Sequence, residues 1–596
     1  MQPVDFTTLT AACDELRTQW IPGRTEQVYQ RDRFTIAIAL RTLKNRGWLT
    51  ICWHPQAARL CIADPPPKTP DTFTFSDQLR HQLSGLALVA IDTIAPWERV
   101  LDLKFARRPG DPAIFHLYVE IMSKYSNVIL TDADNLIITA AHQVSGQQSS
   151  IRPIQTGQPY ELPPALTGTM PSLSEPQERW QERVGLVPGA LHRQLLKSYR
   201  GLSPALVRSM ASSAGLDPNQ STDTLNTSDW QQLFGRWQEW LQLLSSLPAS
   251  AASDSPAKEK SAREPKFQPG WTEQGYTVLG WGIIKPAKTV QNLLNSYYTD
   301  ELNQQDFAQL HHQLSQKLGN ILGKLRQKAA TFEERLQQSD QADQHREQAD
   351  LLMAYLQEWE PGMKTITLAD FETNKPVTIA LNPEKNAVQN AQALYKRHQK
   401  LKRARNAVEP LLQEVQEEIQ YLEQVEAALT GLDTYKTPED LQTLQEIREE
   451  LIGQKYLDVP EQRNRVSDVS EPYRYQTPSG FELLIGRNNR QNDLLTFRTA
   501  GDYDLWFHTQ EIAGSHVLMR LPAGAAPDEA DLHFAADLAA HYSRARQSDQ
   551  VPVVYTTPKY VYKPKGAKPG MAIYKQEKII WGRPPQGSTY LRKDLS

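Results

Sequence analysis

A run of amide and guanidinium side chains near the carboxyl end is the first candidate for chemistry. It follows the apolar residues 483–485 and reads Gly486-Arg487-Asn488-Asn489-Arg490-Gln491-Asn492-Asp493. Such side chains bond phosphate oxygens, base edges or nearby backbone groups, and by propensity the run forms neither a helix nor a strand core. It therefore predicts either a nucleic-acid contact or a long turn that bonds to itself. The contact residues would be Arg487, Asn488, Asn489, Arg490 and Asn492.

Residues 559–570 form a second candidate, in which lysines alternate with two Pro/Gly turns. The segment reads Lys559-Tyr560-Val561-Tyr562-Lys563-Pro564-Lys565-Gly566-Ala567-Lys568-Pro569-Gly570. Lysines on a short rigid loop meet phosphate with little ordering cost. We predict that Lys559, Lys563, Lys565 and Lys568 bind a nucleic-acid backbone. A loop that only improves solubility is the alternative.

Aromatic and histidine side chains lie between these two segments, in Trp506-Phe507-His508 and Gly514-Ser515-His516. The histidine spacing matches no metal-ligand pattern, and no nucleophile elbow marks a Ser/His pair. Trp506, His508 and His516 are therefore predicted to be structural or to contact RNA, for example by stacking on bases. In the first domain, Glu98 and Arg99 stand side by side after a tryptophan, a pattern typical of a surface ion pair.

No residue pattern predicts a cofactor or a metal. The sequence lacks the GxxxxGK[ST] phosphate loop, and Cys13, Cys52 and Cys61 cannot form a zinc site of the CxxC kind. We expect these cysteines to be buried apolar groups.

Several kinds of element must position these residues. Short apolar alternations at 49–53, 59–62, 117–121, 127–130 and 136–139 predict strands, and 32–44 and 75–83 predict amphipathic helices. Residues 182–248 predict helices, with Gly201-Leu202-Ser203-Pro204 as a helix-hairpin-helix joint. Apolar positions at alternating spacings of three and four in 299–358 and 386–434 predict two antiparallel coiled-coil arms around a small β cap. A homodimerisation coil is the alternative.

Charge and composition narrow the function classes. The 596 residues contain 65 Lys and Arg against 69 Asp and Glu, and no apolar run approaches the ~18 residues of a membrane span. Residues 551–596 nevertheless contain nine basic and two acidic residues, with Tyr555, Tyr560, Tyr562, Tyr574 and Trp581 interleaved. Ordered, aromatic and basic segments are typical of nucleic-acid faces. We expect a cytoplasmic protein, since the first residues lack a secretory signal.

Several of these motifs, in this order, resemble the NFACT family. The run 486–496, the segments 504–508 and 514–517, and 563–571 resemble the NFACT-R domain. Glu120-Ile121-Met122 with Ser126-Asn127-Val128-Ile129-Leu130 resembles the strand motif of NFACT-N. The fold class that this implies is a multidomain α+β protein. Its expected parts are NFACT-N at 1–170, a helix-hairpin-helix domain at 180–250, a linker at 251–270, coiled-coil arms with a cap at 271–440, a connector at 441–470 and NFACT-R at 471–590.

The resemblance implies a factor in ribosome-associated quality control. Such proteins bind a large ribosomal subunit, with its 23S rRNA, that is obstructed by peptidyl-tRNA, and they recruit tRNA, chiefly alanine tRNA, for untemplated tailing. A small RNA-binding accessory factor is a further implied partner. The family's Asp-Arg pair for tRNA handling matches Glu98 and Arg99, where the acid is longer by one methylene. Glu120, Ile121 and Met122 are the second implied tRNA contact. The ribosome forms the peptide bond, so the protein itself is expected not to be an enzyme.

Three other functions remain open at this point. The protein could be a general RNA binder or a fibronectin-binding adhesin. A DNA glycosylase of the formamidopyrimidine type is disfavoured, because Gln2 precedes Pro3, Val4 follows it, and the cysteines cannot form the finger.

Overall fold

The computed structural model describes residues 1–66, 70–149, 152–164, 168–247, 266–339, 341–371, 373–458 and 470–593. Two compact units are present, Met1–Asn303 and Gln304–Ser596. The chain is a mixed α+β protein with several domains, as predicted. The predicted linker at 251–270 and connector at 441–470 fall mostly or partly outside the described residues. Among the helices that the structure describes, none combines the length and the apolar character that a membrane span requires.

A nine-stranded antiparallel sheet forms the centre of the first unit. Its spatial order is β4-β3-β2-β1-β5-β6-β7-β8-β9. The elements are α1 (Phe6–Gln19), β1 (Gly23–Asp32), β2 (Thr35–Arg41), β3 (Arg46–Cys52), β4 (Arg59–Ala63), α2 (Thr74–Leu83), β5 (Ala87–Thr93), β6 (Val100–Ala106), β7 (Phe115–Glu120), β8 (Asn127–Asp132) and β9 (Ile137–Ala140). Strands overlap all five predicted positions, and α2 matches the predicted helix at 75–83.

The predicted helix at 32–44 is wrong, because β2 occupies most of it. Six consecutive residues from Thr35 to Leu40 are buried, so both faces of this strand are covered. A strand buried on both faces shows a continuous apolar run and loses the alternation that would identify it.

Four helices follow in the first unit, and the N-cap of one of them bonds to the sheet domain. They are α3 (Gln177–Gly185), α4 (Leu191–Ser198), α5 (Pro204–Ser213) and α6 (Thr227–Ser245). Ser203 Oγ accepts from the Leu206 amide at 3.0 Å and donates to Asp5 Oδ2 at 2.6 Å. Asp5 Oδ1 in turn accepts from the Thr8 amide at 2.8 Å at the start of α1. The N-caps of α1 and α5 are therefore joined by one buried hydrogen bond.

Long helices pair in the second unit. Three short strands that still belong to the first unit follow α6, namely β10 (Gly270–Thr272), β11 (Gly275–Thr277) and β12 (Lys285–Pro286). The next elements are α7 (Val290–Ser339), which begins in the first unit, α8 (Ala342–Ala354), β13 (Thr365–Ala369), β14 (Pro376–Ala380), α9 (Ala387–Gly431) and α10 (Pro438–Gly453). His311 Nε2 lies 3.1 Å from the Leu429 carbonyl and Arg326 Nη2 lies 2.8 Å from Glu423 Oε1. These contacts run in opposite senses along α7 and α9, so the helices are antiparallel within one chain. β13 and β14 form a hairpin between them.

A six-stranded sheet with the order β15-β16-β18-β17-β19-β22 completes the second unit. Its inner face packs on α12, with Phe507, Val553 and Ala536 in the core. The elements are β15 (Tyr473–Gln476), β16 (Glu482–Ile485), α11 (Asn489–Leu494), β17 (Leu505–Thr509), β18 (Val517–Met519), α12 (Glu529–His541), β19 (Val551–Thr556), β20 (Val561–Tyr562), β21 (Ile573–Tyr574), β22 (Lys578–Gly582) and α13 (Pro584–Lys593).

Candidate functional site

The polar run after β16 folds into α11 and faces the carboxylates of α10. Asn488 caps α11 by accepting from the Gln491 amide at 2.9 Å, and its Nδ2 donates to Glu446 Oε2 at 2.6 Å. Asn489 Nδ2 donates to Glu450 Oε1 at 3.0 Å. Both asparagines are 1–2% exposed. The run is therefore more than a turn that bonds to itself, because Asn488 and Asn489 also bond to carboxylates of α10, a helix distant in sequence.

Two further side chains of the run are also held by the protein. Arg487 Nη1 lies 3.0 Å from Asp440 Oδ1, and its guanidinium lies 4.0 Å above the Tyr473 ring. Asn492 Oδ1 accepts from the His516 amide at 3.0 Å. Arg490 differs, because its side chain is 48% exposed and lies 3.7 Å from Glu449. In this conformation, Arg490 alone of the five predicted contact residues has a largely exposed side chain.

The predicted stacking residues of this domain lie in its interior. Trp506 is 1% exposed, His508 8% and His516 2%. Trp506 Nε1 donates to Thr496 Oγ1 at 3.0 Å, and this hydroxyl lies 2.7 Å from His516 Nδ1. Burial lowers the pKa of His508 to about 4 and holds the pKa of His516 well below its ordinary value. The two imidazoles are neutral parts of the core, and we leave all three side chains out of the interface.

The lysine loop is fixed at two points. Lys563 forms an ion pair with Asp493, whose Oδ1 also accepts from the Gly570 amide at 3.1 Å. Lys568 bonds to the Tyr456 hydroxyl and lies 4.7 Å from the centroid of the Tyr421 ring, and burial lowers its pKa. These contacts tie the loop to the rest of the domain and engage two of its four predicted lysines internally.

The remaining predicted lysines of the loop are open to solvent. Lys559 and Lys565 are exposed, and Lys559 Nζ lies 4.9 Å from the Tyr560 ring centroid. Of the four predicted lysines, Lys563 and Lys568 therefore fix the loop through internal contacts, and Lys559 and Lys565 are exposed to solvent and available to a partner.

In the first unit, Glu98 and Arg99 lie at the seam between the sheet and the helices, so the expectation of a simple surface ion pair is wrong. Glu98 Oε1 is 3.8 Å from Arg200 Nη1, and Arg99 Nη1 donates to the Val4 carbonyl at 3.0 Å. Burial lowers the pKa of Arg99, while Asp5 and Glu98 act in the opposite direction. The preceding Trp97 packs against Gly201 and Trp240, which places this pair beside the helix-hairpin-helix joint.

The second predicted tRNA element adjoins the first. The Ile121 amide donates to the Arg99 carbonyl at 3.0 Å, so the backbone joins the two elements. Glu120, however, is 1% exposed and bonds to Arg152 on both oxygens and to the Tyr160 hydroxyl at 2.8 Å. Its carboxylate is fully engaged within the domain. Ile121 is 2% exposed, and Met122 is half-buried.

Surface residues that the sequence reasoning missed follow directly after Met122. Ser123–Tyr125 is a short helical turn in which Ser123 has φ +52°. Tyr125 is 69% exposed and Lys124 Nζ lies 4.9 Å from its ring centroid. The signal was an adjacent lysine and tyrosine between two strands. This pair supplies a cation and an aromatic face three to four residues after Ile121, whose amide bonds to the Arg99 carbonyl.

Within the described ranges, no group of three or more His, Cys, Asp or Glu side chains is placed so that it could hold a metal ion. Cys13, Cys52 and Cys61 are buried, as predicted, and burial raises the pKa of Cys13 to about 11.

Two protein-family models match this chain. Residues 471–575 match the family model described as the NFACT protein RNA binding domain. A relative called Rqc2 homolog RqcH from Bacillus subtilis (strain 168) is 30% identical over 96% of both chains. The protein of the same name from Streptococcus suis (strain 05ZYH33) is 29% identical over 95% of both chains.

A solved structure is also similar in sequence. It is described as the C-terminal part of the fibronectin/fibrinogen-binding protein from Streptococcus suis, is 32% identical, and covers 47% of this chain and 95% of that chain with a TM-score of 0.36. Residues 5–468 match the model of the NFACT N-terminal and middle domains. Because the matched models together span most of the sequence, this chain belongs to the NFACT family.

Proposed function

We propose that this protein is a ribosome-associated quality-control factor. It binds large ribosomal subunits obstructed by peptidyl-tRNA and recruits a tRNA, chiefly alanine tRNA, so that the stalled chain is extended without a template. The observation that carries the proposal is the lysine loop, which lies in the segment that matches an RNA-binding domain. Its exposed Lys559 and Lys565 stand on a loop pinned by Asp493 and Tyr456, so little ordering entropy opposes their contact with phosphate.

The proposed role is positioning and not catalysis. The ribosome forms peptide bonds once an aminoacyl end is held near the peptidyl end, and holding reactants together supplies a large part of such a rate. The protein must therefore bind RNA at two separate sites, one for the large ribosomal subunit and one for the tRNA. Full-length similarity to proteins named RqcH supports the same reading.

We place the tRNA contact on the edge formed by Arg99, Met122, Lys124 and Tyr125. The Arg99 backbone bonds to the strand that leads into Met122, and the next residues expose a cation and an aromatic ring. Cations bind phosphates, and rings stack on unpaired bases. Glu98 acts here by holding Arg200.

Sedimentation of the tagged protein on a sucrose gradient tests the proposal. The wild type should travel with free large subunits, and copurified RNA should include tRNA. Lys559→Glu with Lys565→Glu should weaken this association at least about tenfold, since each reversal replaces a phosphate contact with a repulsion. Lys317→Glu on α7 is the control, an exposed lysine outside the loop. Unchanged sedimentation of the double variant would remove the loop from the interface.

A second comparison separates tRNA recruitment from subunit binding. Lys124→Ala with Tyr125→Ala should leave sedimentation unchanged and reduce recovered tRNA about tenfold. The variant Glu98→Ala with Arg99→Ala should act in the same direction but also lower stability, because both side chains are partly buried. Equal tRNA recovery from the exposed pair would show that the adaptor binds elsewhere.

A further inference from the structure

The outer face of the last sheet is covered over part of its width only. Register places Pro552 opposite Trp581 and Val554 opposite Ile579, so these four side chains share the face that points away from α12. Trp506 on β17 shares this face as well, through its pairing with Thr556. The face is thus a continuous strip that runs from β17 across β19 to the edge strand β22.

A small hairpin covers the inner part of this strip. Val561 of β20, together with Tyr574 of β21, packs on Trp506 and Val554, and this cluster excludes solvent. Val554 is 0% exposed, whereas Ile579 and Trp581 on β22 are each 55% exposed. The cover therefore ends before the edge strand.

Exposed cations flank these two apolar side chains. Lys575 and Lys578 precede Trp581 and Arg583 follows it, all three exposed, with Glu577 as the one carboxylate in this stretch. Large apolar groups exposed beside one another on a surface indicate a binding site. The segment lies beyond residue 575, where the match to the RNA-binding domain model ends.

We propose that β22 is a stacking platform for single-stranded RNA, on which an unpaired base packs against Trp581 while Arg583, two residues further on, contacts a flanking phosphate. The inference rests on the proposed function, and it names the surface and the RNA form. Charge complementarity selects RNA as the occupant. Lysine is depleted in protein interfaces, whereas rings between lysines and arginines are the composition of single-strand binders.

Geometry also favours a single strand over a duplex. A base can reach the face of Trp581 only if it is unstacked from its neighbours, as in a loop, a bulge or an end. Ile579 stands two residues away on the same face of the strand, and so offers the adjoining nucleotide an apolar contact.

Fluorescence anisotropy of the full chain with a labelled 12-nucleotide single-stranded RNA tests the platform. Trp581→Ala should weaken binding about 5-fold to 100-fold, the range found when a stacked base loses its ring. Trp581→Phe retains a ring and should stay within about threefold of the wild type. Phe371→Ala is the matched control, an exposed aromatic on the hairpin between α8 and α9.

Salt dependence distinguishes the two kinds of contact. Arg583→Ala should reduce the slope of log K against log[salt] by about 0.7, the value for one phosphate contact on a single strand. Trp581→Ala should shift the line without changing its slope, because stacking releases no counterion.

The outcomes separate this inference from the proposed function. If the wild type binds the oligonucleotide and sediments with subunits, but Trp581→Ala binds RNA equally well, the platform is wrong and the proposed function stands. If the oligonucleotide is not bound while Trp581→Ala weakens sedimentation, β22 contacts a protein and the RNA assignment is overturned. If neither RNA nor subunits are bound, both proposals fail.

Discussion

Replacing Asn488 by alanine tests whether the polar run is a structural latch or an RNA reader. The side chain caps α11 and donates to the buried carboxylate of Glu446, so its removal loses both contacts. A lost N-cap costs about 1 kcal/mol, and a lost hydrogen bond to a charged group about 1.5–3 kcal/mol. We expect the contact between α10 and α11 to be destabilised by about 3 kcal/mol.

Hydrogen exchange of the full-length protein measures this effect locally, which suits a chain with several domains. Some backbone amides of α10 and α11 exchange their hydrogens only when the contact between these helices opens. The exchange rates of these amides should be about 100-fold higher in Asn488→Ala than in the wild type. Asn320→Ala, at an exposed position of α7, should change exchange by little. Asn488→Asp should have a larger effect than alanine at neutral pH, since it places a second carboxylate beside Glu446, and acidification should relieve it.

The latch would be refuted by a particular pair of results. If Asn488→Ala exchanges like the wild type but loses affinity for RNA, the asparagine reads nucleic acid and the buried geometry is not the relevant one. If exchange accelerates and RNA affinity is retained where the domain is folded, the latch is supported.

Two further predictions concern stability. Gly201→Ala should destabilise the protein by about 3 kcal/mol, because the backbone φ is +82° and a Cβ would lie 2.6 Å from the Trp97 ring. Gly215→Ala is the control, since its φ of +75° is similar but a Cβ there would meet open space, and it should cost about 1 kcal/mol. Thermal melting of the two variants compares these costs. Burial holds the pKa of the His508 imidazole at about 4 in the folded protein, whereas in the unfolded chain it is about 6.5. As the pH falls, the unfolded chain is therefore protonated first, which favours unfolding. The free energy of unfolding should be unaffected by this group above about pH 6.5 and should fall by about 3 kcal/mol as the pH drops to 4. His516 acts in the same direction, and His508→Gln should flatten the pH dependence of the urea midpoint.

Sequence reasoning located the elements better than it assigned their side chains. The helix-hairpin-helix joint was predictable because Ser203 and Pro204 are local signals of a helix start, and the structure has both in that role. β2 was not, because a strand buried on both faces resembles a helix in its apolar content. Sequence patterns therefore predict an element correctly where neighbouring residues determine it, and fail where burial by distant parts of the chain determines it.

The candidate site could be predicted only in part, for a related reason. Asn489 and Arg487 have the composition of an RNA contact, but their partners Glu450 and Asp440 come from a helix some 40 residues earlier. Nothing in the run itself shows that those carboxylates face it. The same applies to Glu120, whose partner Arg152 lies in a loop beyond the next two strands.

This internal pairing determines which basic side chains near the carboxyl end remain free to bind phosphate. Arg487 and Lys563 are matched by carboxylates, and Lys568 lies against two tyrosine rings, so their charges serve the fold. Phosphate recognition needs cations that have not already been neutralised by the protein. Among the side chains of residues 551–590, for which the structure gives an exposure, the exposed cations without a carboxylate partner here are Lys559 and Lys565 on the loop and Lys575, Lys578 and Arg583 around β22. The buried pairs hold the loop in place, and the exposed set is left to meet RNA.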